Sequence, residues 1–126
     1  MDYRLEVVLV PVSDVDRAKA FYADVLGFAV DHDTSPQPGT RVVQLTPPGS
    51  GCSIVFGEGL PEMEPGSLRG LQLVVDDMET AVDELGGRGL DVSDLQTLGA
   101  EGRDGFRFLF FTDPDGNGWA VQEIRP

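Results

Sequence analysis

The chain has 126 residues, 40% of them hydrophobic, and a formal net charge of −13 at pH 7. That length and apolar content suit one compact unit with its own core, while the charge would be repelled by nucleic acid or an anionic membrane surface, so neither is expected as a partner. No apolar run is long enough to span a membrane, the start lacks a secretion-signal pattern, and the lone Cys52 permits no intramolecular disulfide, so a cytoplasmic protein is expected.

Residues 3–12 are rich in β-branched side chains and predict a strand, with Pro11 near its end. Ser13 and Asp14 are capping residues, and Val15, Ala18, Phe21, Tyr22 and Val25 recur at helical spacing. Gly27 suits the left-handed position that ends such a helix. Strands are predicted over 28–33, 41–46 and 52–56, separated by a loop at 34–40 and a turn at 47–51. Residues 57–67 carry Gly, Pro and Glu without a period and read as a linker. The order then repeats. Residues 70–75 predict a strand, and Asp76-Asp77 opens a helix with apolar Met78, Ala81, Val82 and Leu85, ended by Gly86, Gly87 and Gly89. A short strand is expected over 90–93 and a loop over 95–105. Residues 106–112, the turn Asp113-Pro-Asp-Gly-Asn-Gly-Trp119 and residues 119–124 form a closing hairpin.

Each half therefore reads β-α-β-β-β, and the halves match residue by residue. Val12, Asp14, Ala18 and Tyr22 correspond to Val75, Asp77, Ala81 and Leu85 at a constant offset. Thr46-Pro-Pro-Gly-Ser-Gly-Cys-Ser-Ile54 resembles the stretch from Thr112 to Val121 with one inserted residue, which sets Ser53 against Ala120.

The paired modules, the string Val12-Ser-Asp-Val-Asp-Arg-Ala-Lys-Ala-Phe-Tyr-Ala-Asp-Val-Leu-Gly-Phe28 and the closing Asp-Pro-Asp-Gly-Asn resemble the vicinal oxygen chelate superfamily, over nearly the whole chain. This group includes glyoxalase I, extradiol dioxygenases, and fosfomycin and bleomycin resistance proteins. The resemblance implies an α+β fold: two tandem βαβββ modules forming a curled mixed sheet around a concave cavity, with helices outside. The expected organisation is a single domain over 1–126, with module 1 at about 1–57, a linker at 58–67 and module 2 at about 68–126. It also implies a homodimer, with cavities often built from two chains. Metal-dependent members hold a divalent ion with His, Gln or Glu on the first and last strands of each module.

Counted from the two strings, those positions fall on Val7, Ser53, Gly70 and Ala120. None is a carboxylate or an imidazole, so the family metal site is expected to be lost and no cofactor is expected. Glu6 and Glu123 are neighbours, but adjacent strand residues face opposite sides of a sheet, so both should point away from the cavity. His32, the single histidine, reads as a loop-edge residue, and Cys52 should pack under the helix with no base to activate it. Asp76-Asp77 and Asp14/Asp16 sit at helix starts, which accounts for them.

Strand alternation gives a cavity lining of Val7, Leu9, Gly70, Gln72, Ser53, Val55, Ala120 and Gln122, joined by Arg107, Leu109 and Phe111. Phe108, Phe110 and Trp119 are assigned to the core. A mostly apolar concavity with two amides and a guanidinium suits a small molecule. The expected function is metal-independent binding of a drug or metabolite, as in bleomycin resistance proteins, and the acidic balance would favour a cationic ligand. The alternative is an enzyme, a glyoxalase-like lyase or a dioxygenase. It would use a displaced metal site drawing on Gln44, Gln72, Gln122 and Glu123, or no metal at all.

Overall fold

Asp14 and Asp77 start two helices in the same way. Each lies in extended backbone, at φ −134° and ψ 106° and at φ −138° and ψ 108°. The Asp14 side chain accepts from the Arg17 N–H, and that of Asp77 from the N–H groups of Glu79 and Thr80. Such a cap stabilises a helix by about 1 kcal/mol. The internal repeat of the sequence is thus a repeat of local geometry.

In the computed structural model of the chain, the described residues are 1–60, 63–98 and 106–124. The first module comprises β1 (Val7–Leu9), α1 (Val15–Ala20) continued by a π-helical turn (Phe21–Val25), β2 (Ala29–Thr34), β3 (Arg41–Thr46) and β4 (Ser53–Glu58). The second comprises β5 (Leu71–Val75), α2 (Met78–Gly87), β6 (Leu95–Leu98), β7 (Phe106–Thr112) and β8 (Gly118–Glu123). Each module makes an open four-stranded sheet, ordered β1-β4-β3-β2 in the first and β5-β8-β7-β6 in the second. The first and last strands of a module pair parallel and the others antiparallel. The chain is α+β, with the two tandem βαβββ modules that the sequence predicts.

Three boundaries differ from the sequence reading. β1 is shorter than the apolar run that contains it. Residues 90–93 form no strand, and the edge strand is instead β6, inside the stretch expected as a loop. Its pairing decides this, because Leu95 lies opposite Leu109 and Leu98 opposite Phe106. Such non-local partners outweigh local propensity. The remainder of the expected loop, 99–105, lies outside the described residues, as do 61–62 of the linker.

One hydrophobic cluster joins the modules. Val15, Ala18, Tyr22 and Leu26 form the buried face of the first helical segment, and they share a core with Val43, Leu45 and Phe56 of the first sheet and Leu109, Trp119 and Val121 of the second. The Tyr22 ring lies 5.8 Å from Phe28, 5.8 Å from Phe56 and 5.6 Å from Trp119. Burying a side chain of this size contributes about 1.5–3 kcal/mol. Arg88, just after α2, donates to the carbonyls of Val25 and Leu26 at 2.8 and 3.4 Å, where Gly27 (φ 78°) turns the chain. Outside the core, Arg41 grips Asp33 with two nitrogens at 3.0 and 2.9 Å, and Lys19 of α1 reaches the same carboxylate at 2.8 Å. No helix among the described residues is long and apolar enough to cross a membrane.

Candidate functional site

The closing turn is where the chain comes together. Asp113 Oδ1 accepts from the N–H groups of Asp115 and Asn117, both at 2.9 Å. Its Oδ2 accepts from the Tyr22 hydroxyl at 2.7 Å and from Asn117 Nδ2 at 2.8 Å. Asn117 Nδ2 also donates to the Pro11 carbonyl at 2.8 Å, and its Oδ1 accepts from the Leu68 N–H at 3.0 Å. Asp115 takes Ser13 and Arg17 from the start of α1. Gly66 passes so close that a Cβ there would lie 2.0 Å from the Asp115 carbonyl oxygen. A five-residue turn therefore ties together both modules and the segment between them. It also fixes the register of β7 against β8, from Thr112 opposite Gly118 onward.

That register sets which side chains face which way. On β8, Trp119, Val121 and Glu123 are buried on the helix-covered face, while Ala120 and Gln122 lie on the open face. Phe110 is opposite Ala120 and Phe108 opposite Gln122, so these phenylalanines share the open face. Their rings are 5.8 Å apart and 11° from parallel. On β5, Gln72 is the neighbour of Ala120, and its Nε2 donates to Gln122 Oε1.

A cavity of about 640 Å³ occupies this part of the molecule. Phe108, Phe110, Ala120 and Gln72 line it from the sheet, and Leu90, Asp91, Ser93 and Asp94 from the segment after α2. Phe21, Phe111 and Trp119 complete the aromatic lining. Asp91 is held below the usual carboxylate range by hydrogen bonds from Ser93, so it is charged at neutral pH. Arg69, the one cation of the lining among the described residues, is turned onto the carbonyls of Gly66 and Leu68. The lining thus combines aromatic surface, the Gln72 amide and the carboxylates of Asp91 and Asp94.

The residues that sequence alternation brings together divide into two groups. Gln72, Ala120 and Phe111 line the cavity, and Gln122 joins it through Gln72. Val7, Leu9, Ser53 and Val55 are partners on β1 and β4, Val7 opposite Ser53 and Leu9 opposite Val55, and do not reach this cavity. The first module contributes Phe21 instead. Arg107 and Leu109 do not face the concavity either. Leu109 is fully buried, and Arg107 Nη1 lies 3.8 Å from both Glu79 and Glu123 on the helix side. Phe111 is buried beside Trp119, with its ring 6.0 Å from the indole. The expected facing of β7 is therefore reversed for Arg107 and Leu109, while Phe111 lines the cavity from the helix side, and Phe108 and Phe110, assigned to the core, lie on the open face. A signal was present in the sequence. With Ala120 placed in the concavity, a five-residue turn closed by Thr112 and Gly118 puts Phe110 beside it.

The positions at which family members hold a metal carry the same kind of correction. Leu9 and Gln72 each stand five residues before their capping aspartates. Leu9 pairs with Val55 and Gln72 with Ala120, so the first-module counterpart of Ala120 is Val55 and not Ser53. Ser53 corresponds to Gly118, and its hydroxyl lies 2.6 Å from Thr46 Oγ1, which in turn bonds Asp31. Val7, Val55 and Ala120 offer no donor atoms. Gly70 has φ 90°, a conformation side-chain-bearing residues rarely adopt. This set does not fit a divalent ion. Among nearby groups, Glu123 is buried on the helix side, where it accepts from the Met78 N–H at 2.7 Å. Glu6 is exposed and pairs with Arg4. His32 is exposed within β2, opposite Gln44. Cys52 is half-buried in the turn before β4, where its N–H donates to Ser50 Oγ.

Comparison with known proteins gives a consistent picture. The profile of the Glyoxalase/Bleomycin resistance protein/Dioxygenase superfamily matches residues 4–121. The uncharacterized protein YwkD of Bacillus subtilis (strain 168) is 33% identical over 109 residues, covering 82% of this chain and 83% of that protein. Among solved structures, TnmS3, an antibiotic binding protein from Streptomyces sp. CB03234, is 34% identical with a TM-score of 0.75, over 97% of this chain and 96% of that one. A superfamily member from Sphaerobacter thermophilus DSM 20745 is 28% identical with a TM-score of 0.79, over 98% of each chain.

Proposed function

The chain belongs to the Glyoxalase/Bleomycin resistance protein/Dioxygenase superfamily, and from that premise we propose that it binds and sequesters a small molecule, a drug or metabolite, without a metal ion. The observation that carries this reading is the aromatic-walled cavity of about 640 Å³, of a size that suits a small ligand. Of the positions counted for the family's metal ligands, the two that line this cavity hold glycine and alanine, Gly70 and Ala120. The likeness to the antibiotic binding protein TnmS3 supports the same reading. Asp91 and Asp94 in the lining, with the net charge of −13, favour a ligand bearing positive charge. The working form in this proposal is a cytoplasmic homodimer. β1 and β5 are the edge strands of their sheets, and Val7 and Val74 on them are 46% and 56% exposed, which favours cover by a second copy.

The test is calorimetric titration of the native protein, with and without EDTA, against a panel of aromatic antibiotics that includes metal-free bleomycin. Elemental analysis of the same preparation accompanies it. The expected result is binding of at least one panel member, unchanged by EDTA, to protein with substoichiometric metal. Stoichiometric metal together with binding that EDTA abolishes would overturn the proposal.

A further inference from the structure

Resting on that reading of the cavity, we infer that Gln72 and Gln122 form a docking edge for a flat ligand carrying a hydrogen-bond donor and an acceptor side by side. Phe108 and Phe110 serve as its stacking wall. The argument begins with the amides. Gln72 Nε2 donates to Gln122 Oε1, which uses one donor and one acceptor of the pair. One whole carbonyl and one whole NH₂ group remain, and this holds whichever way the two amides are turned. The remaining acceptor and donor thus come from two different side chains, joined to each other by that bond, and together they offer a wider polar edge than one amide does.

Register places that edge next to the aromatic wall. Across the sheet, one row runs Phe110, Ala120, Gln72, and the next runs Phe108, Gln122. Ala120 separates Phe110 from Gln72 by two strand spacings, roughly 10 Å. Its methyl group is the lowest point of the row, so a shallow slot lies between the ring and the amide. A fused two-ring system fits that width. Its face would meet an aromatic side chain, and its polar edge would meet the amides. The position that family members give to a metal ligand becomes, in this chain, the floor of the slot. The class of ligand that answers this description is a planar bicycle or larger with a lactam, or an equivalent N–H or O–H next to a carbonyl.

The experiment uses the intact chain and two probes that differ only at the edge, quinolin-2(1H)-one and its N-methyl derivative. Binding is followed by the fluorescence of Trp119, which lines the cavity. The lactam is expected to bind at least 10-fold more tightly than the N-methyl compound. Gln72→Leu with Gln122→Leu should erase that preference, and Ala120→Leu should weaken both probes at least 10-fold. Gln72→Met with Gln122→Met, closer in shape, serves if the leucine variant does not fold. Equal binding of the two probes, or a preference that survives loss of the amides, would overturn the inference while leaving the cavity as a binding site. If neither probe binds at millimolar concentration although a panel antibiotic does, the inference also falls by itself. If nothing binds, both readings fall.

Discussion

The Tyr22 hydroxyl donates to the buried Asp113 carboxylate at 2.7 Å and accepts from Trp119 Nε1 at 3.0 Å. A residue of the first helical segment thereby fixes the closing turn of the second module. Among the described residues Asp113 receives four donors, two of them backbone N–H groups, and no ion-pair partner, which is how an acid can be buried. Tyr22→Phe keeps the ring and removes both bonds, leaving the indole N–H with no acceptor. Unsatisfied buried groups cost about 1–3 kcal/mol, and that is the expected loss in a urea unfolding experiment. A loss under about 0.5 kcal/mol, the usual scale of a surface change, would show that water replaces the hydroxyl at no cost.

The same hydroxyl should impose an alkaline limit. Burial first, and then the hydrogen bond to Asp113, raise the Tyr22 phenol above its usual value. A raised folded value means that the native state keeps a proton which the unfolded chain releases. The associated stability is fully present below the unfolded value of about 10 and falls as pH rises above it, with a limiting slope of about 1.4 kcal/mol per pH unit. Unfolding free energies measured between pH 9 and 11.5 should fall more steeply in the native protein than in Tyr22→Phe. Parallel curves would be evidence against the burial of this phenol.

At the acid end the group to watch is Asp33. Hydrogen bonds from Arg41 first, then from Lys19, hold its carboxyl well below the usual range. A lowered folded value gives the opposite sign. The stability is present above the unfolded value of about 4 and is lost as pH falls through the folded one. The cluster is solvent-accessible, so the effect is small and salt-sensitive. Asp33→Asn should flatten the acid limb of the stability curve and reduce its dependence on salt. An unchanged limb would mean that these contacts are not kept in solution.

Much of the fold was legible because it rests on local chemistry that repeats. Asp14 and Asp77 cap helices at matching places, and Gly27 ends the first of them at positive φ. What sequence reading missed depends on partners distant in the chain. Leu95–Leu98 carries no strong strand signal and becomes β6 through its pairing with β7. The facing of Phe108 and Phe110 follows from the closure of a turn, and alternation along β7 alone does not supply it. The pairing of Ala120 with Gln72, and of Val55 with Leu9, likewise required the register of parallel strands. The hub role of Asp113 and Asn117 was not legible either. Its partners Pro11, Tyr22 and Leu68 lie far from the turn in the chain.

The facing of β7 gives a paired prediction. Leu109→Ala removes a fully buried side chain and should cost about 2–5 kcal/mol of stability. Phe108→Ala and Phe110→Ala remove half-exposed rings from the cavity wall. Each should lower stability far less than Leu109→Ala, and each should weaken an aromatic ligand by about 0.5–1.5 kcal/mol, roughly 2–10-fold. Urea melts and calorimetric titrations on the same three variants decide it. The reverse pattern, with Leu109→Ala affecting binding and the phenylalanines affecting folding, would restore the facing that alternation along β7 predicts.

Introducing donors tests the proposal that this chain works without the family's metal. Ala120→Glu alone supplies a carboxylate with no partner donor. Gly70→His would add one, but Gly70 sits at φ 90°, where a side chain costs roughly 1–3 kcal/mol of strain. To relieve that strain, the backbone just before Leu71 would have to turn, and Leu71 is held opposite Trp119 by the sheet. The double variant Gly70→His with Ala120→Glu should therefore lose stability and should not take up zinc stoichiometrically in dialysis against a micromolar excess. Uptake of one zinc per chain with restored stability would mean that the backbone at Gly70 readily adopts the geometry of a ligand-bearing strand. In that case side chains alone, and not the backbone, would separate this chain from a metal-binding member.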